Sequence, residues 1–329
     1  MEILKLILHI MDTQQNIFVP SDREIEKMNE DIYPHIESKL KKIFNSQNKK
    51  EAHFVNSPVE QWIFDYKTNP NDFVKLSVQI ANHIFEEKRK WNLFQTSDFI
   101  FAEVKHEDIR YLVGIDNVNF SKLTHATHSD DTQIQNDFIL YKTLFSSNIM
   151  KEDRIFIVEY ATSHLQLIEN PYIFQTTKRY VLEDILSCKA KPSYKEAIST
   201  IHECVENLTN KYQMDELKTL PALKTAVKER VEEGNQIETN ELAELLFENP
   251  IVQSEFKEEL KKQGIEETVN VENIKLNKQQ KTQKIKTDNG IEITIPIDYM
   301  NSREFVEFVS EHDGTISIRL KNIQSIMSK

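Results

Sequence analysis

The sequence predicts an α+β fold: an N-terminal, mostly antiparallel sheet with helices, a helical middle region, and a C-terminal four-stranded β-meander. Three observations predict it. Short apolar segments with strand-like alternation run from about Asp98 to about residue 170. The period then becomes helical from Thr177 to about Gly264, and strand-like alternation returns after about Ile274. The boundaries expected are 1–172 for an N-terminal α+β domain, 173–268 for an acidic helical region, and 269–329 for the meander with its basic segment.

The opening "MEILKLILHIMD" starts with Glu2, is interrupted by Lys5 and His9, and lacks a small-residue cleavage site, so a strand is expected and not a signal peptide. Ser21 followed by Glu24 has the spacing of a capping box, which predicts a mainly helical "DREIEKMNEDIYPHIESKLKKIF" broken or kinked at Pro34. In "NPNDFVKLSVQIANHIFEEKRKWN", Pro70 is expected near the first turn, and Phe73, Leu76, Val78, Ile80 and Ile84 supply an apolar stripe. "DFIFAEVKHEDIRYLVGID" reads as two strands around a polar tip at His106 to Asp108. "KLTHATHSD", "QNDFILYKTLF" and "RIFIVEYATSHLQLI" read as further strands. Helices follow in "KRYVLEDILS", "SYKEAISTIHECVENLTNKY", "PALKTAVKERVEEG", "TNELAELLFENP" and "QSEFKEELKKQG", punctuated by Pro192, Pro221 and Pro250.

Turn chemistry fixes the register at the C-terminal end. A three-residue loop Asp288-Asn289-Gly290, with Gly290 at positive φ, sets Ile285 opposite Ile293, Lys286 opposite Glu292 and Lys284 opposite Thr294. The loop His312-Asp313-Gly314 likewise pairs Phe308 with Ile318, Val306 with Leu320 and Glu307 with Arg319. One face of the meander then carries Ile285, Ile291, Ile293, Ile295, Phe308, Ile316, Ile318 and Leu320, and the other is polar.

Composition narrows the function. The five glycines, Gly114, Gly234, Gly264, Gly290 and Gly314, lie far apart, so the clustered glycines of a P-loop or dinucleotide turn are missing. There is no G-x-S-x-G elbow and no H-E-x-x-H. Cys188 and Cys204 are the two cysteines of 329 residues, which fits a reducing cytosol better than a disulfide framework. No segment approaches the ~18–20 apolar residues of a membrane span. The expected protein is soluble, intracellular, without membrane contact and without a cofactor.

The formal net charge is −12, but it is unevenly spread. From Lys228 to Glu267 there are twelve Glu against five Lys or Arg, while between Asn273 and Asn289 five lysines meet a single aspartate. Lys284 and Lys286 alternate as the wet face of any hairpin would. Lys275, Lys278 and Lys281 precede the hairpin, recur every third residue and have no carboxylate nearby in sequence before Asp288. Such lysines can follow a phosphate backbone as point charges without reading bases. With neither arginine nor aromatic residues among them, base-specific or single-strand readout is not indicated.

Other residue constellations carry weaker chemistry. Glu103-x-Lys105 with Asp98 upstream has the order of a metal-dependent nuclease, but strand parity puts Asp98 on the opposite face, leaving Asp116 as the second carboxylate. His125, His128, Asp130 and Asp131 are metal-ligand types, yet the two histidines of a strand point to opposite faces. Cys188, His202 and Cys204 lack the paired spacing of a zinc site. No metal is expected.

The hairpin "DFIFAEVKHEDIRYLVGIDN", the strand "RIFIVEY", the helical "EEGNQIETNELAELLFE", and the ending "NGIEITIPIDYM" followed by "DGTISIRLKNI" together resemble bacterial nucleoid-associated proteins of the NdpA/YejK type. The resemblance spans nearly the whole chain and rests on strand and turn patterns. It implies a cytoplasmic, non-enzymatic protein of the nucleoid, binding mainly double-stranded DNA and working beside topoisomerases. The chain departs from the expected Phe-rich helix ending in Leu-Gly after residue 178, where it has "YVLEDILSCKAKPSY". The residues expected to meet DNA, Lys275, Lys278, Lys281, Lys284 and Lys286, come from the charge pattern of this chain and not from the family. Two rival expectations remain: an adaptor binding a protein through its acidic helices, and a nuclease using Glu103 and Lys105. A homo-oligomer is compatible with either.

Overall fold

The apolar runs of the N-terminal half become strands buried on both faces, and this sets the architecture of the first of two units, Met1–Ser193 and Tyr194–Lys329. The computed structural model describes residues 1–129, 133–174, 177–265, 267–271, 274–276, 278, 280–300 and 302–327.

The first unit runs through β1 (Glu2–Asp12), β2 (Ile17–Val19), α1 (Tyr33–Phe44), β3 (Lys50–Phe54), α2 (Pro58–Thr68) and α3 (Phe73–Lys90). It continues through β4 (Thr96–His106), β5 (Ile109–Val118), β6 (Phe120–Ser129), β7 (Ile134–Leu144), β8 (Arg154–Glu159) and β9 (Leu165–Ile168). It closes with β10 (Tyr172–Phe174), β11 (Thr177–Arg179), α4 (Val181–Leu186) and β12 (Cys188–Ala190). Eight of these strands form one sheet in the order β12-β3-β9-β8-β5-β4-β1-β2, each neighbour antiparallel.

Successive residues of β4 serve opposite cores. Phe99 and Phe101 pack with α2, α3 and α4, while Ile100, Ala102 and Val104 pack with Leu40, Ile43 and Phe44 of α1. Covered on both faces, the strand reads as an almost unbroken apolar run. Each fully buried Phe or Ile here stabilises the fold by about 1.5–3 kcal/mol. Gly114 on β5 is required by close approach, since a Cβ there would lie 2.2 Å from the Phe156 ring. Helix α3 follows the expected stripe at Phe73, Leu76, Ile80 and Ile84, with Val78 only partly buried.

Two helix starts differ from the sequence expectation. Residues 21–32 are irregular, with a bend at 22–23 and a turn at 30–32, because Ser21 N–H donates to His9 Nδ1 at 3.0 Å and Ile25 N–H donates to Leu6 O at 2.8 Å, tying this segment to β1. Pro34 therefore opens α1 instead of breaking a longer helix, as its fixed φ and missing N–H allow. Pro70 lies outside α3, whose N-cap position is Asp72.

The second unit begins with α5 (Tyr194–Lys211), α6 (Glu216–Glu233), β13 (Ile237–Glu238), α7 (Thr239–Leu246) and α8 (Pro250–Lys262). Ile201, Val205, Leu223, Val227, Leu242, Phe247, Phe256 and Leu260 form its core. Pro221 does not open a helix, as "PALKTAVKERVEEG" suggested, but is the sixth residue of α6. After β14 (Thr268–Val269) come β15 (Thr282–Lys286), β16 (Glu292–Pro296), α9 (Ile297–Met300), β17 (Val306–Ser310) and β18 (Ile316–Leu320).

Both C-terminal hairpins keep the expected registers, with Ile285 opposite Ile293 and Phe308 opposite Ile318. The continuous four-stranded meander is corrected: the hairpins are separate two-stranded sheets, because the chain turns into the short helix α9 between them. Ile285, Ile295, Ile297, Met300 and Val306 join them through a small apolar cluster. Ile291, Ile316 and Leu320, expected on the apolar face, are exposed.

Candidate nucleic-acid interface

All five lysines of the basic segment, Lys275, Lys278, Lys281, Lys284 and Lys286, are exposed. Their backbone is held in place. Ile274 and Leu276 pack against the helical core of the second unit, so Lys275 between them is directed outward. A turn follows, in which Lys281 N–H donates to Lys278 O at 3.2 Å and Thr282 Oγ1 donates to the same oxygen at 3.0 Å. Ile297 N–H then donates to Lys281 O at 3.0 Å, fastening the turn to the start of α9. Along β15 the pleat buries Ile285 and presents Lys284 and Lys286 to solvent.

Helix α6 supports this segment with two cations of its own. Lys224 Nζ donates to Thr282 O at 3.1 Å, and burial pushes the Lys224 pKa below its ordinary value. Lys228 pairs with Asp298 of α9, and that hydrogen bond raises the Lys228 pKa. Lys224 braces β15 and Lys228 braces α9, while the five lysines of the segment face solvent.

Lys284 of the segment is paired with a carboxylate, Glu292. Glu292 lies opposite Lys286 in the register, yet its ion pair is with Lys284 at 2.7 Å. Strand twist brings diagonal neighbours within reach of long side chains, which favours this partner.

The rival constellations do not converge. Glu103 is fully buried, bonded by Arg110 and by the Tyr66 hydroxyl, which donates to it at 2.6 Å. Burial and that carboxylate together hold the Tyr66 phenol protonated well above its ordinary range. Lys105 is paired with Asp108 at 2.8 Å. Asp116 shares the face of Glu103 but sits across from Phe99, four residues along β4, or about 13 Å by strand rise. Burial alone would raise the Asp116 pKa, but Lys88 and Arg154 outweigh it and hold the carboxyl below its ordinary value. Asp98 is pushed upward by its burial. Those contacts spend both carboxylates on structure.

His125 and His128 fall on opposite faces of β6, and Asp130 and Asp131 lie outside the described residues. Burial raises the thiol pKa of Cys188 to about 12 and of Cys204 to about 11, which leaves both thiols protonated and weakly nucleophilic. Among the described residues no group of three or more His, Cys, Asp or Glu side chains could hold a metal ion.

Sequence reasoning missed the bracing role of Lys224 and Lys228. Their spacing of four on α6 was the available signal, since it places both on one helix face. Comparison with known families gives a match to the family model described as nucleoid-associated protein YejK, over residues 7–328. No curated protein matches the chain.

Proposed function

The chain belongs to the nucleoid-associated protein YejK family, and from that membership we propose that it binds double-stranded DNA, largely without reading sequence. The contacts are phosphate contacts made by Lys275, Lys278, Lys281, Lys284 and Lys286. One observation carries the reading: all five lysines are exposed, while Ile274, Leu276 and Ile285 of the same stretch are anchored in apolar clusters. A braced row of cations loses less freedom on binding than a loose tail and does not require a fixed base sequence. The role is architectural and not catalytic, in keeping with the family's description, which places the protein at the nucleoid. Among the described residues no helix is long and apolar enough to cross a membrane.

The test is fluorescence anisotropy with a labelled random-sequence duplex, comparing the native chain with a variant carrying Gln at all five positions. Five phosphate contacts predict an affinity falling roughly 10²–10³-fold between about 50 and about 200 mM salt, on a log–log slope near −4.5. The variant is expected to lose most of that slope. An unchanged slope and affinity would remove the footprint, and magnesium-dependent cutting of the duplex would reopen the nuclease reading.

A second reading has its own observation. Leu245 and Ile251 are exposed among the glutamates of α7 and α8, which suits a protein partner with a basic, partly apolar surface. A topoisomerase, which the family resemblance implies, is the partner class to test by pulldown. Both readings can hold together, because the acidic helices and the lysine segment use different residues.

A further inference from the structure

The end of α3 and the β10–β11 hairpin bring basic and aromatic residues of the first unit together. Residues 88–95, "KRKWNLFQ", and residues 170–182, "NPYIFQTTKRYVL", carry five cations and no carboxylate. Of these cations Lys88 is buried on Asp116, whereas Arg89, Lys90, Lys178 and Arg179 are exposed. Two contacts join the segments. The Arg179 guanidinium lies 5.3 Å from the centre of the Trp91 ring, and Gln95 Nε2 donates to the Tyr172 hydroxyl at 3.4 Å. The hairpin therefore touches the loop on either side of Phe94, whose side chain is 60% exposed. That loop is fixed. Asn92 ends the helix at φ 55°, Leu93 N–H donates back to Lys88 O at 2.9 Å, and Gln95 N–H donates to Thr13 Oγ1 at 2.8 Å.

From this arrangement we infer that the first unit carries a second nucleic-acid surface, which takes a single strand of DNA. An unpaired base stacks on Phe94, and Arg89, Lys90, Lys178 and Arg179 take the flanking phosphates. This goes beyond the duplex reading and uses none of its five lysines. It rests on the family's place at the nucleoid only for the choice of DNA over RNA.

Ring chemistry and charge select this occupant. An unpaired base offers a π-face that an exposed aromatic ring can stack on, whereas a duplex hides those faces within its own stack. A guanidinium held against an indole supplies a planar cation suited both to stacking and to phosphate. The lysine segment of the second unit has no aromatic residue between Lys275 and Lys286, so the two surfaces suit different forms of DNA.

The nearby carboxylates leave these cations available. Arg89 pairs with Glu86 at 3.1 Å and Lys90 with Glu87 at 2.6 Å, each one turn back on α3. Such solvated pairs are weak, and phosphate can displace the carboxylate. Asp12 is engaged by the Gln15 N–H and the Thr96 hydroxyl. A ring presented on a fixed loop also loses little freedom when a base stacks on it.

The experiment is fluorescence anisotropy of the full chain with a labelled dT strand of about 12 nucleotides and, separately, with the duplex. It compares the native protein with Phe94→Ala, with Phe94→Tyr and with the variant carrying Gln at the five lysines. The native chain is expected to bind the strand. Phe94→Ala lowers strand affinity about tenfold and leaves duplex affinity unchanged, and Phe94→Tyr restores strand binding because it keeps the ring. The five-Gln variant keeps strand binding, on a log–log salt slope of about −2.8 for four phosphate contacts, and adding Lys178→Gln reduces that slope by about 0.7. Phe94 is exposed, so its replacement is not expected to disturb the fold, and circular dichroism checks this.

No strand binding by the native chain at about 50 mM salt overturns the inference. So does a strand affinity indifferent to Phe94→Ala, or a loss shared equally by strand and duplex. An RNA strand of equal length bound more tightly overturns the choice of DNA. If the five-Gln variant loses strand and duplex alike while Phe94→Ala changes neither, the inference fails and the lysine footprint stands. If that variant keeps its duplex affinity while strand binding still depends on Phe94, the footprint fails and the inference stands.

Discussion

The two units treat lysine in opposite ways. In the first, Lys39 and Lys88 are almost wholly buried, Lys39 on Asp153 at 2.7 Å and Lys88 on Asp116 at 2.9 Å, with Arg154 also on Asp116 at 3.0 Å. In the second, five lysines stand in solvent while Lys224 and Lys228 brace the backbone beneath them. A buried ammonium needs its carboxylate, and a phosphate could reach it only by unfolding its surroundings. An exposed ammonium keeps its charge available. The net charge of −12 therefore says little about polyanion binding, because what matters is where each cation finds its counter-charge.

The largest effect expected from this contrast comes from Asp116→Ala. It would leave Lys88 and Arg154 buried together without their carboxylate. Removing one partner of such a buried group destabilises by about 3–5 kcal/mol, read as a lowered urea midpoint. The salt slope of duplex binding by the remaining folded protein should not change. A loss of stability under about 1 kcal/mol would mean that water or a rearranged partner already compensates these cations.

The next effect depends on pH and sits entirely in the first unit. Burial raises the Glu169 carboxyl from 4.5 to about 7, while burial lowers the His9 imidazole from 6.5 to about 4. As pH rises from 4.5 to 7, the folded chain keeps a Glu169 proton that the unfolded chain has lost, so stability falls by on the order of 3 kcal/mol. His9 works the other way. As pH falls from 6.5 to 4 the unfolded chain takes up a proton that the folded chain refuses, and stability is lost in that direction. The two slopes oppose each other between 4.5 and 6.5 and flatten the profile. Glu169→Gln, which removes the titrating proton and keeps one of the two acceptor oxygens that the Leu182 and Glu183 N–H groups use, should expose the His9 slope as a stability loss on acidification. Urea midpoints across that range check this, and an equally flat profile for the variant would count against the opposed pair.

How much of this was legible in the sequence depended on whether the deciding contact was local. Both hairpin registers were, because Gly290 and Gly314 adopt the positive φ their turns require, at 87° and 85°. The outward direction of Lys284 and Lys286 followed from alternation around Ile285. The capping box at Ser21 failed because His9, far outside any local window, takes the Ser21 N–H. The four-stranded meander failed at Ile297 to Met300, where four residues close one helical turn instead of continuing a strand. Lys39 and Lys88 each occupy a position on the apolar stripe of a helix, beside Leu40 and Ile43 or one turn after Ile84. That stripe announced burial, but their carboxylates lie on other elements, and no spacing along the chain could pair them.

The smallest effect offers the sharpest contrast between the units. Lys284 and Glu292 are 61% and 47% exposed, so their ion pair contributes about 0–1 kcal/mol to stability, against several for the buried pairs. Glu292→Gln should leave the urea midpoint within error. For duplex binding the same change removes the carboxylate that competes with phosphate for Lys284. Completing one contact steepens the log–log salt slope by up to about 0.9 and raises affinity about two- to threefold near 100 mM salt. If affinity and slope stay fixed while the five-Gln variant loses both, Lys284 is a solvated hairpin residue, and the footprint narrows to Lys275, Lys278, Lys281 and Lys286.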